Sequence, residues 1–145
     1  MKNILFILLC VFSTSLFSQT SKKSLSKKKC HSLECENFTS TNVETDETSY
    51  YVYCSFQNMK YQHITDLGSW IMSTTSKIDE MIEELEMCLD YMDNKSDSFT
   101  SSSGRFRVSD SSKFLYIWED GKFCYTNKKK TIQLIDWLKS VDMGE

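Results

Sequence analysis

The dipeptide Asp120-Gly121, placed between two runs rich in apolar and aromatic residues, constrains the fold more than any other feature of this chain. Asp-Gly favours the two-residue turn of a β-hairpin because both positions tolerate positive φ. Counting outward from the turn predicts the register. The predicted cross-strand pairs are Glu119 with Lys122, Trp118 with Phe123, Ile117 with Cys124 and Tyr116 with Tyr125.

The two faces of this predicted hairpin differ in character. One face carries Leu115, Ile117 and Cys124, which need burial. The other carries an aromatic strip, consisting of Tyr116, Trp118, Phe123 and Tyr125. Coplanar aromatic side chains on a sheet can stack on sugars, peptides or a partner protein. They can equally be the side of the sheet that a helix covers, and the sequence leaves both interpretations open.

Two amphipathic helices are predicted from apolar residues at helical spacing. The first begins near Ser76, where Ser76 and Asp79 have the spacing of an N-terminal cap. The second begins at Thr131, after a predicted solvated turn over residues 128–130. The apolar stripes are Ile78, Met81, Ile82, Leu85, Leu89 and Met92 in the first, and Ile132, Ile135, Leu138 and Val141 in the second.

Alternating segments at 50–56, 60–65 and 106–108 add strands, and residues 70–72 predict a short further one. The element order is then β-β-(β)-α-β-β-β-α. It predicts an α+β domain with one small, mainly antiparallel sheet of about five strands, on which both helices pack. This class of fold hosts many functions, so it does not indicate an activity.

Residues 1–18 have the form of a cleavable export signal, with Lys2, an apolar run over 4–12 and a predicted cut after Ser18. The run is shorter than the roughly twenty residues that span a bilayer, so no transmembrane segment is expected after cleavage. The ending Leu-Phe-Ser-Gln resembles export signals of some Gram-negative bacteria, which predicts a periplasmic or secreted protein.

The organisation predicted beyond the signal is a leader followed by one domain. Residues 19–49 are almost entirely polar and contain too few apolar side chains to offset the entropy cost of ordering. We therefore expect 19–49 to be a flexible polar leader and 50–143 to form a single α+β domain, which suits the usual domain size.

Cleavage would remove Cys10 and leave an odd number of cysteines in a compartment that permits disulfides. Cys30 and Cys35 are close in sequence, which predicts a small bridged loop. A zinc site at Cys30, His31 and Cys35 would lack a fourth ligand, so neither a metal nor another cofactor is expected. The cysteines in predicted core elements are further disulfide partners or buried thiols, namely Cys54, Cys88 and Cys124.

The first helix is rich in carboxylates, and Glu80, Glu83 and Glu84 are the candidate acidic docking face for a basic partner. A solvated helix face is the alternative. The lysines near residue 20 have no interleaved aromatic residues to stack on bases, so nucleic acid is not expected as a partner.

No motif in the sequence indicates catalysis, and no catalytic residue is assigned. The leading hypothesis is an exported, non-enzymatic protein of the bacterial cell envelope that binds an unknown protein or envelope component. A small secreted hydrolase or thiol enzyme is one alternative, using Cys54, Cys124, His63 or the helix carboxylates. A structural envelope component is the other. The sequence predicts no oligomeric state.

Overall fold

The computed structural model describes residues 20–60, 66–94, 98–109 and 113–144, and these form two antiparallel sheets and two helices. The N-terminal sheet has the order β1-β2-β3-β4 and the C-terminal sheet has the order β5-β6-β7-β8. The elements are β1 Thr20–Cys30, β2 Leu33–Asn42, β3 Thr48–Gln57, β4 Leu67–Met72, α1 Thr75–Asn94, β5 Phe99–Thr100, β6 Phe106–Val108, β7 Phe114–Glu119, β8 Lys122–Asn127 and α2 Lys128–Lys139.

The mixed α+β class is confirmed, but the single sheet of about five strands is wrong in detail. Two four-stranded sheets are present within the described residues, because β1 and β2 occupy sequence that appeared too polar to order. The predicted export signal and most of the predicted strand at 60–65 lie outside the described residues.

The segment expected to be a flexible leader instead forms β1, β2 and the start of β3. Its few apolar residues are sufficient because they alternate with polar ones, so that they share one face of the sheet. Leu33 and Cys35 are fully buried, and even Asn37 on the same face is only 3% exposed. Pairing with β3 supplies backbone hydrogen bonds and apolar side chains to pack against. The predicted free energy of ordering this segment counted only its own side chains and left these contributions out.

One hydrophobic core joins the two sheets to the two helices. The inward side chains of β3 and β4 meet those of the C-terminal sheet through an aromatic cluster, in which the Trp70 ring centroid lies 6.2 Å from that of Phe56 and 6.4 Å from that of Phe106. From the helices, Leu85 and Leu134 are fully buried. The helices therefore contact the inner sides of the sheets.

Both helix starts differ slightly from the predicted ones. At α1, the Thr74 hydroxyl accepts from the Lys77 N–H at 3.4 Å, so Thr74 takes the capping role expected for Ser76. At α2, the Asn127 side chain accepts from the Lys130 N–H at 3.0 Å, and the helix begins at Lys128. Residues 128–130, expected to be a solvated turn, are thus its first turn.

Candidate binding surface

The β7–β8 hairpin has the register that the sequence predicts. All four expected pairs are observed, and Asp120 and Gly121 form the turn with φ values of 49° and 74°. Leu115, Ile117 and Cys124 are fully buried on the inner face. The aromatic strip consequently lies on the outer face of the C-terminal sheet, where all four of its side chains are partly exposed.

The rings of the strip contact one another across the two strands. Trp118 and Phe123 stack with their centroids 4.9 Å apart and their planes 26° apart. Tyr116 and Tyr125 lie 6.4 Å apart, and Phe114 packs edge-on against Tyr125 at 5.2 Å. Phe114 is 42% exposed, so it extends the aromatic surface outward. Such mutual packing limits the motion of the rings and makes the surface pre-organised.

Two residues outside the hairpin add polar groups to this surface. The guanidinium carbon of Arg107 lies 5.0 Å from the ring centroid of Trp118, a cation–π contact. His31, in the β1–β2 turn, lies with its ring centroid 5.4 Å from that of Tyr125. A shallow depression of about 390 Å³ opens beside the strip, lined in part by Phe99, Arg107 and Trp118. The surface thus offers flat apolar rings next to a fixed positive charge.

Arg107 and His31 were not among the residues predicted from the sequence for this surface. Arg107 alternates with buried Phe106 and Val108, which was a usable signal that it shares the outer face with the strip. His31 has no comparable signal, since its contact with Tyr125 depends on how the two sheets are placed. A second aromatic pair, Phe38 and Tyr51, stacks at 5.4 Å on the outer face of the N-terminal sheet.

The three members of the predicted acidic docking face do not act together. Glu80 and Glu83 are exposed, whereas Glu84 is only 7% exposed. The Glu84 carboxylate accepts from the Ser102 hydroxyl at 2.7 Å, the Ser103 N–H at 2.6 Å and the Ser103 hydroxyl at 2.6 Å. Glu84 therefore holds the loop before β6 in place, and only Glu80 and Glu83 are available to a partner.

The environment of Glu84 favours its charged form. Burial acts to raise its pKa, but the hydrogen bonds from Ser103 and Ser102 together outweigh burial, and the pKa lies below the usual value for glutamate. A carboxylate with three donors is well satisfied in the interior. This state suits a structural anchor and leaves no proton on Glu84 to donate at neutral pH.

The cysteine pairing differs from the predicted one. Cys35 and Cys54 lie directly opposite each other on β2 and β3 and form a disulfide, with their Cα atoms 4.1 Å apart. Cys30 is a buried free thiol, so the predicted Cys30–Cys35 bridge is wrong. Proximity in sequence suggested that bridge, but strand register decides which sulfur atoms meet.

Cys88 and Cys124 are buried free thiols, one of the two alternatives that the sequence left open. Burial raises the pKa of each to about 12, with the Glu84 charge adding to the effect at Cys88. Thiols in this state are poor nucleophiles at neutral pH. Of the groups named for a thiol enzyme, Cys54 is held in the disulfide and Cys124 is a buried thiol, while His63 lies outside the described residues.

Within the residues that the structure describes, no three His, Cys, Asp or Glu side chains are grouped closely enough to hold a metal ion. Neither of the described helices has the length and apolar character needed to cross a bilayer.

Comparison of the chain with protein-family models, curated proteins and solved structures gives no match.

Proposed function

We propose that this chain is an exported, non-enzymatic binding protein of the bacterial cell envelope, periplasmic or secreted, and that the aromatic strip is its ligand-contacting surface. The observation that carries the proposal is the partly exposed, mutually stacked set of aromatic rings on a sheet whose other face is fully buried. Aromatic side chains concentrated on an outer sheet face are typical of recognition surfaces.

The disulfide supports the export part of the proposal. Disulfides persist in oxidising compartments and are rare in the cytosol. The Cys35–Cys54 bridge closes a sequence separation of 19 residues and ties the largely polar β2 to β3. A bridge at this position is compatible with the export that the first residues of the sequence predict.

The chemistry of the surface favours an acidic glycan of the envelope as the ligand. The parts of the stacked Trp118 and Phe123 rings that remain exposed suit contact with the C–H-rich faces of sugar rings. Arg107 beside them can pair with a carboxylate or phosphate of the same ligand. The shallow form of the depression suits an extended chain more than an enclosed small molecule.

The test is affinity electrophoresis of the purified mature protein in gels containing soluble peptidoglycan fragments, with uncharged chitin oligosaccharides as the comparison. We expect retardation by the acidic fragments that is lost in Trp118→Ala and reduced in Arg107→Gln. Phe38→Ala is the matched control because it removes one aromatic ring from the outer face of the other sheet.

Unchanged retardation of Trp118→Ala would contradict the assignment of the strip, and so would a loss of equal size in Phe38→Ala. The thermal unfolding midpoint of each variant is measured alongside, since the strip is partly exposed and its truncation should lower the midpoint only slightly. A collapse of folding in Trp118→Ala would assign the ring to the core.

A further inference from the structure

A second surface lies between β4 and α1. Trp70, Ile71 and Met72 of β4 line a groove of about 510 Å³ together with residues of α1 and of the loop at 102–105. We call it the β4–α1 groove. Its volume is within the range of ordinary ligand sites. It shares none of its lining residues with the aromatic strip.

The open edge of the N-terminal sheet runs along this groove. Within the part of the chain that the structure describes, β4 pairs with β3 on one side and is the last strand of its sheet. In an antiparallel pair, closely spaced residues are the ones that do not exchange hydrogen bonds. Cys35 on β2 and Cys54 on β3, with Cα atoms 4.1 Å apart, are such a pair. The backbone N–H and C=O of Cys54 therefore point away from β2 and toward Trp70, its partner on β4.

The alternation then continues along β4. Trp70 uses its backbone groups toward β3, so the N–H and C=O groups of Ser69 and Ile71 are directed at the open edge. Lys122 supports this assignment independently, because its ammonium group donates to the Leu67 carbonyl oxygen at 2.8 Å from outside the sheet. The backbone groups of Leu67, Ser69 and Ile71 all point to the open edge, because backbone direction alternates along a strand. Ser69 and Ile71 thus offer hydrogen-bond donors and acceptors to an added strand.

Apolar side chains are exposed beside this edge. Ile71 is 52% exposed and Met87, on the facing side of α1, is 44% exposed, and both line the groove. An edge strand with exposed apolar side chains is a template for pairing with another chain. The opposite edge of the same sheet is protected, since β1 carries five lysines and an irregularity between Ser24 and Ser26.

The charge around the groove determines what kind of chain fits. α1 contains a single basic residue, Lys77, and seven acidic ones, namely Asp79, Glu80, Glu83, Glu84, Glu86, Asp90 and Asp93. Glu80 and Glu83 are exposed at the groove itself. Of the two basic groups that line it, Arg105 is paired with Glu119 at 2.6 Å. The exposed charge that remains is Lys77 against Glu80 and Glu83, and this negative excess favours a basic partner.

We propose that the β4–α1 groove binds an extended, basic segment of a partner protein, which adds to β4 as a fifth strand of the N-terminal sheet. The backbone of Ser69 and Ile71 supplies the pairing groups, Ile71 and Met87 contact apolar side chains of the segment, and Glu80 and Glu83 contact its basic side chains. Main-chain pairing provides affinity in this mode of recognition, and alternate side chains provide specificity.

The experiment measures fluorescence anisotropy of a short labelled peptide of alternating lysine and valine added to the mature protein. We expect saturable binding that weakens about threefold to tenfold in Glu80→Gln/Glu83→Gln, as rim charges at an interface do. Asp79→Asn is the matched control because it removes an exposed charge from the same helix outside the groove. A peptide with N-methyl groups at every residue should not bind, since neither of its edges can pair with β4.

Equal binding of the methylated peptide would overturn strand addition, and equal weakening by Asp79→Asn would overturn the groove as its location. Sedimentation of the protein without peptide tests whether a second copy of this chain occupies the groove instead. Self-association that disappears in Glu80→Gln/Glu83→Gln would assign the groove to a second copy of this chain and overturn the partner segment. Trp118→Ala should leave peptide binding unchanged, which separates this site from the aromatic strip.

Discussion

The two sheets of this protein are stabilised in different ways. The N-terminal sheet is built from strands of up to 11 residues whose inner face includes buried Asn37 and Thr39, and a disulfide joins its two central strands. The C-terminal sheet has strands of 2 to 6 residues around a tight hairpin, and its outer rings pair across the strands. The long, polar strands β1 and β2 therefore depend on covalent and pairing constraints, whereas the short strands of the C-terminal sheet depend on side-chain burial.

Removing the disulfide tests the N-terminal sheet most strongly. We expect Cys35→Ser/Cys54→Ser to lower the free energy of unfolding by about 3 kcal/mol, because the open chain gains entropy in the unfolded state. Urea unfolding measures the change. Reducing agent should have a similar effect on the wild type and none on the double variant. Equal stability of the two proteins would mean that pairing alone orders β1 and β2.

The Glu84 anchor tests the C-terminal sheet. We expect Glu84→Gln to cost about 2 kcal/mol, because a neutral amide has a single acceptor oxygen, loses the charge-assisted bonds and places its NH2 group against the Ser103 hydroxyl, which now donates to the carboxylate. Glu83→Gln, an exposed neighbour on α1, is the matched control and should change the free energy of unfolding little.

The same pair of variants gives a pH dependence with a defined sign. The folded pKa of Glu84 is lowered, so its stabilisation is fully present above the unfolded value of about 4.3 and is lost as pH falls through the folded pKa. The stability difference between wild type and Glu84→Gln should therefore shrink on acidification. A difference that stays constant down to the folded pKa would contradict the anchor.

Two glycines are required for different reasons. Gly68, in the N-terminal sheet, leaves no room for a side chain, whereas Gly104, in the C-terminal half, has a backbone conformation that other residues adopt poorly. A Cβ at Gly68 would collide with the Phe56 ring, so we expect Gly68→Ala to cost about 1–2 kcal/mol. Gly104 has open space but a φ of +72°, so Gly104→Ala should cost about 1 kcal/mol. Gly104→Asn should recover part of that loss, because asparagine tolerates this conformation. Thermal unfolding of the three variants checks the order.

The smallest effect is expected at the outer face of the N-terminal sheet. Hydrogen bonds from Lys22 and Ser24 lower the pKa of Glu36 to about 2, and Lys27 lies 3.3 Å away. Because surface ion pairs contribute little, Glu36→Gln should cost about 0.5 kcal/mol, and less in high salt. The effect should be present above pH about 4.3 and fade toward pH 2. Glu34→Gln, on the same face of β2, serves as the comparison.

Local patterns in the sequence predict the C-terminal half well. The Asp120-Gly121 turn sets the register of β7 and β8, and the apolar stripe from Ile78 predicts α1. Both signals act over a few residues, so no distant contact is needed to interpret them. The position of the aromatic strip on one face follows from the same register.

The N-terminal sheet could be predicted only in part, since the segments predicted at 50–56 and 70–72 correspond to β3 and β4 but β1 and β2 were missed. The strands β1 and β2 have few apolar residues, and they are ordered by pairing with β3 and by the Cys35–Cys54 bridge. The connections between these strands are short, but residues 31–32 and 43–47 contain no Asp-Gly type of turn signal, and composition alone does not reveal the pairing. The burial of Glu84 in the candidate docking face could not be predicted for a similar reason. Its hydrogen-bond partners Ser102 and Ser103 lie 18 and 19 residues further along the chain, beyond the end of α1.

The helix stripes, the hairpin register and the grouping of the aromatic strip on one face can be read from the sequence, because each depends on side-chain periodicity along one segment. The cysteine pairing, the burial of Glu84 and the position of the β4 edge beside an acidic helix arise only when the chain has folded. These depend on distances between segments, which are set by the packing of two sheets and two helices around one core.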